Sequence, residues 1–565
     1  MTYHPKTSHW LSFGIALLLS APSLSAQATP QELTRFAGDI AGGQLGTTAY
    51  VGDVNGDGVP EFAVAAAHRD HSSKLNTGRV QLIDGATFSV LWSVLDDTPH
   101  AQLGTSLAGL HDADGDGVPD LAAGAPGADG SGQTGRVLIL SGVDGSVLKV
   151  LTGTQAGGRF GASLAALHDL DSDGHAEIVI GAPGEDTGDL NTGSAYVIDP
   201  ISGVIFNSFS GVESGDGLGT SVSGSGSLVA NMQVMFHDDP IPTIGCTPGS
   251  SLSLGAPQEA SGGNGYVMLV DPLTAEIHAT ETGKDAFDRF GSSSVSVGDL
   301  DGDGIPELFV GSDPRNSANH ATGEGYTRLL TGSGVLKNER EGTEIGNNYG
   351  VAVVGTGDVD GDGIPDYLVG ESRDDTAGTD AGRIVLHSGA DHSELAQVLG
   401  EQSGEQFGSL VSAVGDLNGD GLAEFAAAAP QHDGQRGELR VFTLTPWSKV
   451  GGGVPGSTGV AQLSGRGGVL GGHDIQLVLS GAPAFADARI VYGSTLLTDT
   501  DGKPLPSSDV IVSGLSTDAN GELTHRITWP SGMPSGVTTW FQVILDDESV
   551  SGGESSSTVI GGTTP

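Results

Sequence analysis

The sequence predicts an all-β protein: a seven-bladed β-propeller followed by a small C-terminal β-sandwich-like domain. Three observations predict it. A glycine-centred acidic loop recurs at near-constant intervals between Asp53 and Glu424. Short apolar segments bounded by turn residues fill each interval. Glycine makes up 93 of 565 residues and aromatics only 5 %, a balance that favours many short strands over helices. No long 3.6-residue apolar periodicity occurs beyond the N-terminus.

The chain opens with a polar stretch containing Lys6, an apolar run over 11–19, and small residues ending in Ala26-Gln27-Ala28. Residues 1–28 therefore read as a signal peptide, with an apolar core too short to span a bilayer. No second apolar segment of spanning length follows, and the tail SSSTVIGGTTP shows no anchor signal. The expected mature protein is soluble, lacks a transmembrane segment, and is secreted or held at the cell surface. Cys246 is the only cysteine, so no intrachain disulfide can form.

Six loops set the architecture: DVNGDGVPE from Asp53, DADGDGVPD from Asp112, DLDSDGHAE from Asp169, DLDGDGIPE from Asp299, DVDGDGIPD from Asp358 and DLNGDGLAE from Asp416. Their spacings are 59, 57, 130, 59 and 58 residues. The interval of 130 is two periods, so one unit lacks the loop and the units number seven, over 29–446. A period of this size holds about four short strands, the content of a propeller blade.

Other landmarks keep step with the loops. Upstream stand Leu45-Gly46, Leu103-Gly104, Phe160-Gly161, Phe290-Gly291, Tyr349-Gly350 and Phe407-Gly408. Downstream stand Gly124-Ala125-Pro126, Gly181-Ala182-Pro183 and Ala428-Ala429-Pro430. The loopless fourth unit keeps Leu218-Gly219 and Gly255-Ala256-Pro257. A strand-like segment precedes each x-Gly pair, as at 90–94 and 147–151. The first copy, at 32–36, precedes unit one and none follows unit seven. The N-terminal strand is therefore expected to complete the last blade.

This frame of x-Gly, acidic loop and Gly-Ala-Pro resembles the FG-GAP repeat of the integrin α-subunit propeller, over residues 31–446. The resemblance implies the seven-bladed ring and calcium bound between two strands of a blade. It is specific for fold and carries no particular partner.

Each loop offers oxygens from positions 1, 3, 5 and 9 and from the carbonyl of position 7, a set that suits a hard cation. In the first loop these are Asp53, Asn55, Asp57, Glu61 and Val59. The second offers Asp112, Asp114, Asp116, Asp120 and Val118, and the third Asp169, Asp171, Asp173, Glu177 and His175. The fourth copy offers Asp299, Asp301, Asp303, Glu307 and Ile305. The fifth offers Asp358, Asp360, Asp362, Asp366 and Ile364, and the sixth Asp416, Asn418, Asp420, Glu424 and Leu422. An EF-hand would need a carboxylate at position 12, which is apolar in all six, so the loop closes early at position 9. The alternative is an acidic turn without metal. Convergent carboxylates repel unless a cation lies among them, which favours up to six Ca2+ sites over that alternative and over Mg2+. Pinning of the turns is the favoured role for the ion, ahead of bridging to a ligand.

The net charge of −47 becomes −48 once Lys6 leaves with the signal peptide, and −36 with six divalent ions bound. Such a surface disfavours nucleic acid and anionic membranes and suits a cation-rich medium.

In unit four, 16 extra residues replace the loop, among them His237, Asp238, Asp239 and Cys246. A degenerate blade with a decorated loop is preferred there over a metal or acid–base cluster. His111 and His168 read as residues flanking the loops. Residues 447–468 read as a Gly-rich linker and 469–565 as the sandwich-like domain.

No G-x-S-x-G, H-E-x-x-H or Cys/His zinc spacing is present, so no catalytic residue is assigned. The leading expectation is a calcium-binding propeller that binds an extracellular protein or glycan. The rivals are a secreted enzyme on the same scaffold, a polysaccharide lyase or lipid hydrolase, and a surface-layer component.

Overall fold

The computed structural model describes residues 30–127, 132–171, 173–224, 252–259, 261–300, 306–314, 323–357, 359, 364–417, 423–444 and 447–451. It further describes 454–455, 457, 460–466, 474–498, 504–507, 510–528, 538–546, 554–557 and 559–563. The expected signal peptide and the insert residues His237, Asp238, Asp239 and Cys246 lie outside the described residues.

Seven four-stranded antiparallel sheets follow one another along the chain. Blade one runs from inside to outside through Leu45–Gly52, Glu61–Ala66, Arg79–Ile83 and Val90–Leu95. Blades two to six repeat this order, starting at Leu107–Leu110, Ser163–Ala166, Ser221–Gly224, Ser293–Gly298 and Tyr349–Gly357. Blade seven takes Leu410–Gly415, Glu424–Ala429 and Glu438–Leu444 from its own unit, and its outer strand is Pro30–Ala37 from the N-terminus. The innermost strands neighbour one another in order, and that of blade seven returns to that of blade one. The expected closure by the N-terminal strand is thus present, and the ring has no loose end.

The second strand of every blade is buried along its whole length. It faces a neighbouring blade on both sides, so both sets of alternating side chains must be apolar or small. In blade one, Ala63 and Ala65 pack toward blade two while Phe62, Val64 and Ala66 pack toward blade seven. Seven hydrophobic clusters fill the seven interblade seams, one each. A single blade has no core of its own, and stacking supplies it.

The repeated glycines staple one blade to the next. A Cβ on Gly181 would lie 2.0 Å from the carbonyl oxygen of Gly219 in the following blade, and one on Gly255 would lie 2.1 Å from that of Gly291. The glycine of Gly-Ala-Pro therefore meets the glycine of the next x-Gly pair backbone to backbone. Serines at or just before the start of the inner strands reinforce this contact: Ser106, Ser163, Ser221 and Ser293 donate to Gly161, Gly219, Gly291 and Gly350 carbonyls at 2.7–2.9 Å.

Beyond the ring, two sheets enclose one further core. One contains Trp447–Gly451, Val559–Thr563, Thr538–Asp546, Asp487–Gly493 and Val510–Ser516, and the other contains Gln462–Arg466, Asp474–Ser480 and Leu523–Thr528. Leu463, Leu477, Leu479, Ile490, Phe541, Val543 and Leu545 fill the space between them, which makes the sandwich. The stretch 447–468 is not wholly a linker, because Trp447–Gly451 and Gln462–Arg466 are strands of this unit. Glycine weakens a strand only modestly, and pairing with Val559–Thr563 and Asp474–Ser480 outweighs that loss.

Candidate metal centres

All six acidic loops join an innermost strand to a second strand. Because the blades share one orientation, the loops emerge at one end of the ring. The position-9 carboxylate is the first residue of the second strand or lies just before it, and it is buried in every copy: Glu61, Asp120, Glu177, Glu307, Asp366 and Glu424 are at most 1 % exposed. Each accepts the backbone N–H of position 2. The distances are 2.6 Å for Val54, 2.8 Å for Ala113, 2.5 Å for Leu170, 2.6 Å for Leu300, 2.7 Å for Val359 and 2.6 Å for Leu417. Asp120 and Asp366 also accept the N–H groups of Gly142 and Gly389 in the adjacent hairpin, at 3.0 and 2.9 Å. Position 9 therefore ties the loop's start to the blade.

Position 1 shapes the turn. Asp53 accepts the N–H groups of Gly56, Asp57 and Gly58 at 2.7, 3.2 and 2.9 Å. Asp112 takes those of Gly115, Asp116 and Gly117, and Asp169 takes those of Asp173 and Gly174. In these three loops positions 3 and 5 accept the N–H two residues on, as in Asp57 N–H to Asn55 Oδ1 (2.9 Å) and Val59 N–H to Asp57 Oδ1 (2.8 Å). Gly58 and Gly117 have φ of 86° and 90°, the left-handed turn that position 6 needs. The loops also touch their neighbours: His175 Nδ1 lies 3.3 Å from the Asp112 carbonyl oxygen.

Carboxyl oxygens converge in three places among the described residues. Asp169, Asp171, Asp173 and Glu177 bring one oxygen each within 4.8 Å of one another, and so do Asp112, Asp114 and Asp116. In blade one the group is Asp57, Glu61 and Asp84. Asp84 follows the third strand and was not among the expected site residues. A signal for it exists, since Asp199 and Asp271 occupy the same register after Ile198 and Val270. Asp301, Asp303, Ile305, Asp358, Asp360, Asp362, Asn418, Asp420 and Leu422 lie outside the described residues.

Burial pushes the Glu61 carboxyl up to about 7, against the lowering effect of the Val54 and Asn55 N–H groups. Burial likewise raises Asp120 to about 6 and Glu177 to about 7, and nearby aspartates add to both. A carboxylate destabilised by desolvation and like charge regains stability when a cation arrives. The donors are oxygens throughout, hard in character and mixed between side chain and carbonyl, so they fit a hard divalent ion. In blade five, Lys337 Nζ lies 3.3 Å from Glu307 Oε1. Burial lowers the pKa of His111 and of His168, and neither belongs to a converging group.

The opposite end of the ring has its own regularity. The residue before each x-Gly pair has left-handed backbone: Gln44, Gln102, Arg159, Gly217, Arg289, Asn348 and Gln406 have φ of 50–64°. Six of the seven are not glycine, an arrangement that costs conformational energy at each position. Buried carboxylates brace the loops beside them. Asp216 accepts from Tyr266 Oη and Asp288 from Tyr326 Oη, both at 2.9 Å, Glu185 accepts from Tyr196, and Glu405 lies 2.7 Å from His432 Nδ1.

The FG-GAP repeat pattern matches residues 45–83, 103–140, 160–198 and 407–442, and the FG-GAP-like repeat pattern matches 299–369. FG-GAP or FG-GAP-like repeats are thus matched in every blade but the fourth. Integrin alpha-5 of Xenopus laevis is 29 % identical over 194 residues, covering 31 % of this chain and 18 % of that protein. Integrin alpha-V of Gallus gallus is 34 % identical over 152 residues, covering 25 % and 14 %. Phosphatidylinositol-glycan-specific phospholipase D of Rattus norvegicus is 40 % identical over 113 residues, covering 18 % and 13 %. The match thus spans less than a fifth of each relative's length. The FG-GAP propeller resembles the N-terminal region of integrin alpha subunits, and no helix among its described residues is long and apolar enough to cross a membrane.

Proposed function

We propose that this protein is an exported calcium-binding propeller that serves as a binding or adhesion module for an extracellular protein or glycan. The observation that carries the reading is the pairing of two unlike ends on one closed ring. One end holds six acidic loops with buried position-9 locks, and the other presents left-handed polar residues braced by buried carboxylates. Calcium at the first end stiffens the turns, and the braced end displays the contact loops. Backbone held in costly conformations by its surroundings is typical of ligand-contacting surfaces.

The loops supply the residues that would hold the ions: Asp53, Asn55, Asp57 and Glu61 in blade one, and their equivalents in the others. The ion neutralises carboxylates that otherwise repel, so loop order and ion binding reinforce one another. The test is a glycan and extracellular-protein binding screen with the full chain in calcium, repeated in chelator. Saturable binding without turnover is the expected result. Turnover of polysaccharide or phospholipid would replace the reading with the enzymatic one, and ordered self-assembly would replace it with a surface-layer role.

A further inference from the structure

We infer that Asp84 is an additional ligand of the blade-one cation, supplied from a separate hairpin to make up for Asn55. The inference rests on the calcium reading of the loops. Loops two and three carry Asp114 and Asp171 at position 3, where loop one carries a neutral amide. Asn55 Nδ2 lies 2.9 Å from Glu61 Oε1 and 3.5 Å from Asp84 Oδ2. The amide therefore sits between two carboxylates, and Asp84 stands beside the place where a position-3 carboxylate would act. Oxygens of Asp57, Glu61 and Asp84 lie within 4.8 Å of one another. Asp84 is 9 % exposed, and its two oxygens face different ways. Oδ1 accepts the Thr87 N–H at 2.7 Å and caps the hairpin, while Oδ2 faces the loop.

The protein's other blades separate these two tasks. Asp199 holds the same register in blade three, where loop position 3 is already Asp171. There its carboxylate is used within its own hairpin, by Ile201, Ser202 N–H and Ser202 Oγ at 2.7–2.9 Å, and it is absent from the converging group. Ser141 and Ser388 hold the register in blades two and six and accept from Val143 and Ala390 N–H through Oγ at 3.3 and 3.2 Å. Serine is thus the fold's own way of capping this hairpin without a carboxylate. With Asp84 counted, site one has four carboxylates, like sites two and three. Blade seven also has asparagine at position 3, but Thr443 stands in the register of Asp84, so that site is one carboxylate poorer.

The experiment compares the wild-type full chain with Asp84→Ser and with Asp84→Ser combined with Asn55→Asp. Each is stripped of metal and titrated with calcium chloride, with bound ions counted by native mass spectrometry and heats measured by calorimetry. Asp84→Ser should weaken one site by at least about tenfold, because ligand charge count sets affinity. Asn55→Asp should restore that site by moving the carboxylate back into the loop. Melting in chelator should be the same for wild type and Asp84→Ser. Unchanged calcium uptake by Asp84→Ser, or an equal loss of melting temperature with and without calcium, overturns the inference and leaves Asp84 a hairpin cap. Wild-type protein that takes up no calcium overturns the calcium reading itself.

Discussion

A methyl group at Gly181 would lie 2.0 Å from the Gly219 carbonyl oxygen and 2.2 Å from Ser163 Oγ. The Ser163 hydroxyl can rotate away, but the Gly219 backbone cannot yield without moving a blade. Gly181→Ala should therefore cost about 3 kcal/mol, read as a lower urea midpoint at unchanged m-value. An unchanged midpoint would show that the glycine staple does not hold the seam. His387 supplies a pH test at the same scale. Burial, with Arg340 the next largest cause, pushes its imidazole down to about 3, against an ordinary value of 6.5. Between those values the unfolded chain binds a proton that the folded chain refuses, so stability falls as pH drops from about 6.5 toward 3. Above that window the group contributes no pH dependence. His387→Gln should lose less stability than wild type between pH 7 and pH 4 in parallel denaturant titrations, and identical slopes would exclude the role. The two residues also differ in legibility. Gly181 announces itself as part of a recurring Gly-Ala-Pro, whereas His387 gains its meaning from Tyr349, Tyr367 and Arg340, which the chain brings to it by folding.

The N-terminal strand closes the ring with little apolar contact. Its one large core contact is Phe36, packed edge-on against Phe62 with centroids 5.9 Å apart. Ionic groups do more of the holding. Arg440 pairs with Glu32 at 3.0 Å and Glu401 at 3.4 Å, and its guanidinium lies 4.7 Å from the Phe407 ring centre. Arg35 reaches Glu32, Glu401 and Glu438 from the strand itself. Arg440→Gln removes a nearly buried cation from this network and should destabilise the protein by about 2 kcal/mol, with earlier proteolytic cleavage near residue 37. Cleavage at the wild-type rate would show that backbone pairing alone closes the ring. The closure is legible in the sequence, because a strand-like segment precedes every x-Gly pair, the first at 32–36, and none follows unit seven. The strands within 447–468 were not readable, since glycine-rich pairs register as linker until their partners, far along the chain, are placed against them.

For the whole molecule, the dominant quantity is a net charge of −47. Self-repulsion of that size weakens any compact state, and the carboxylates gathered in the loops concentrate it at one end of the ring. Chelation at low ionic strength should lower the melting temperature by on the order of 10 °C, and high salt should shrink that gap by screening. A melting temperature indifferent to chelator at low salt would remove the structural role assigned to calcium. The repeat by itself determined the number of blades, the position of each loop and the origin of the closing strand, because a ring of like units writes every constraint several times in register. Only the tertiary structure decided which glycines touch, how position 9 grips position 2, and that Asp84 joins loop one. Those facts depend on distances between segments that sequence spacing does not encode: Asn55 and Asp84 are 29 residues apart and meet because two hairpins of one blade end on the same side.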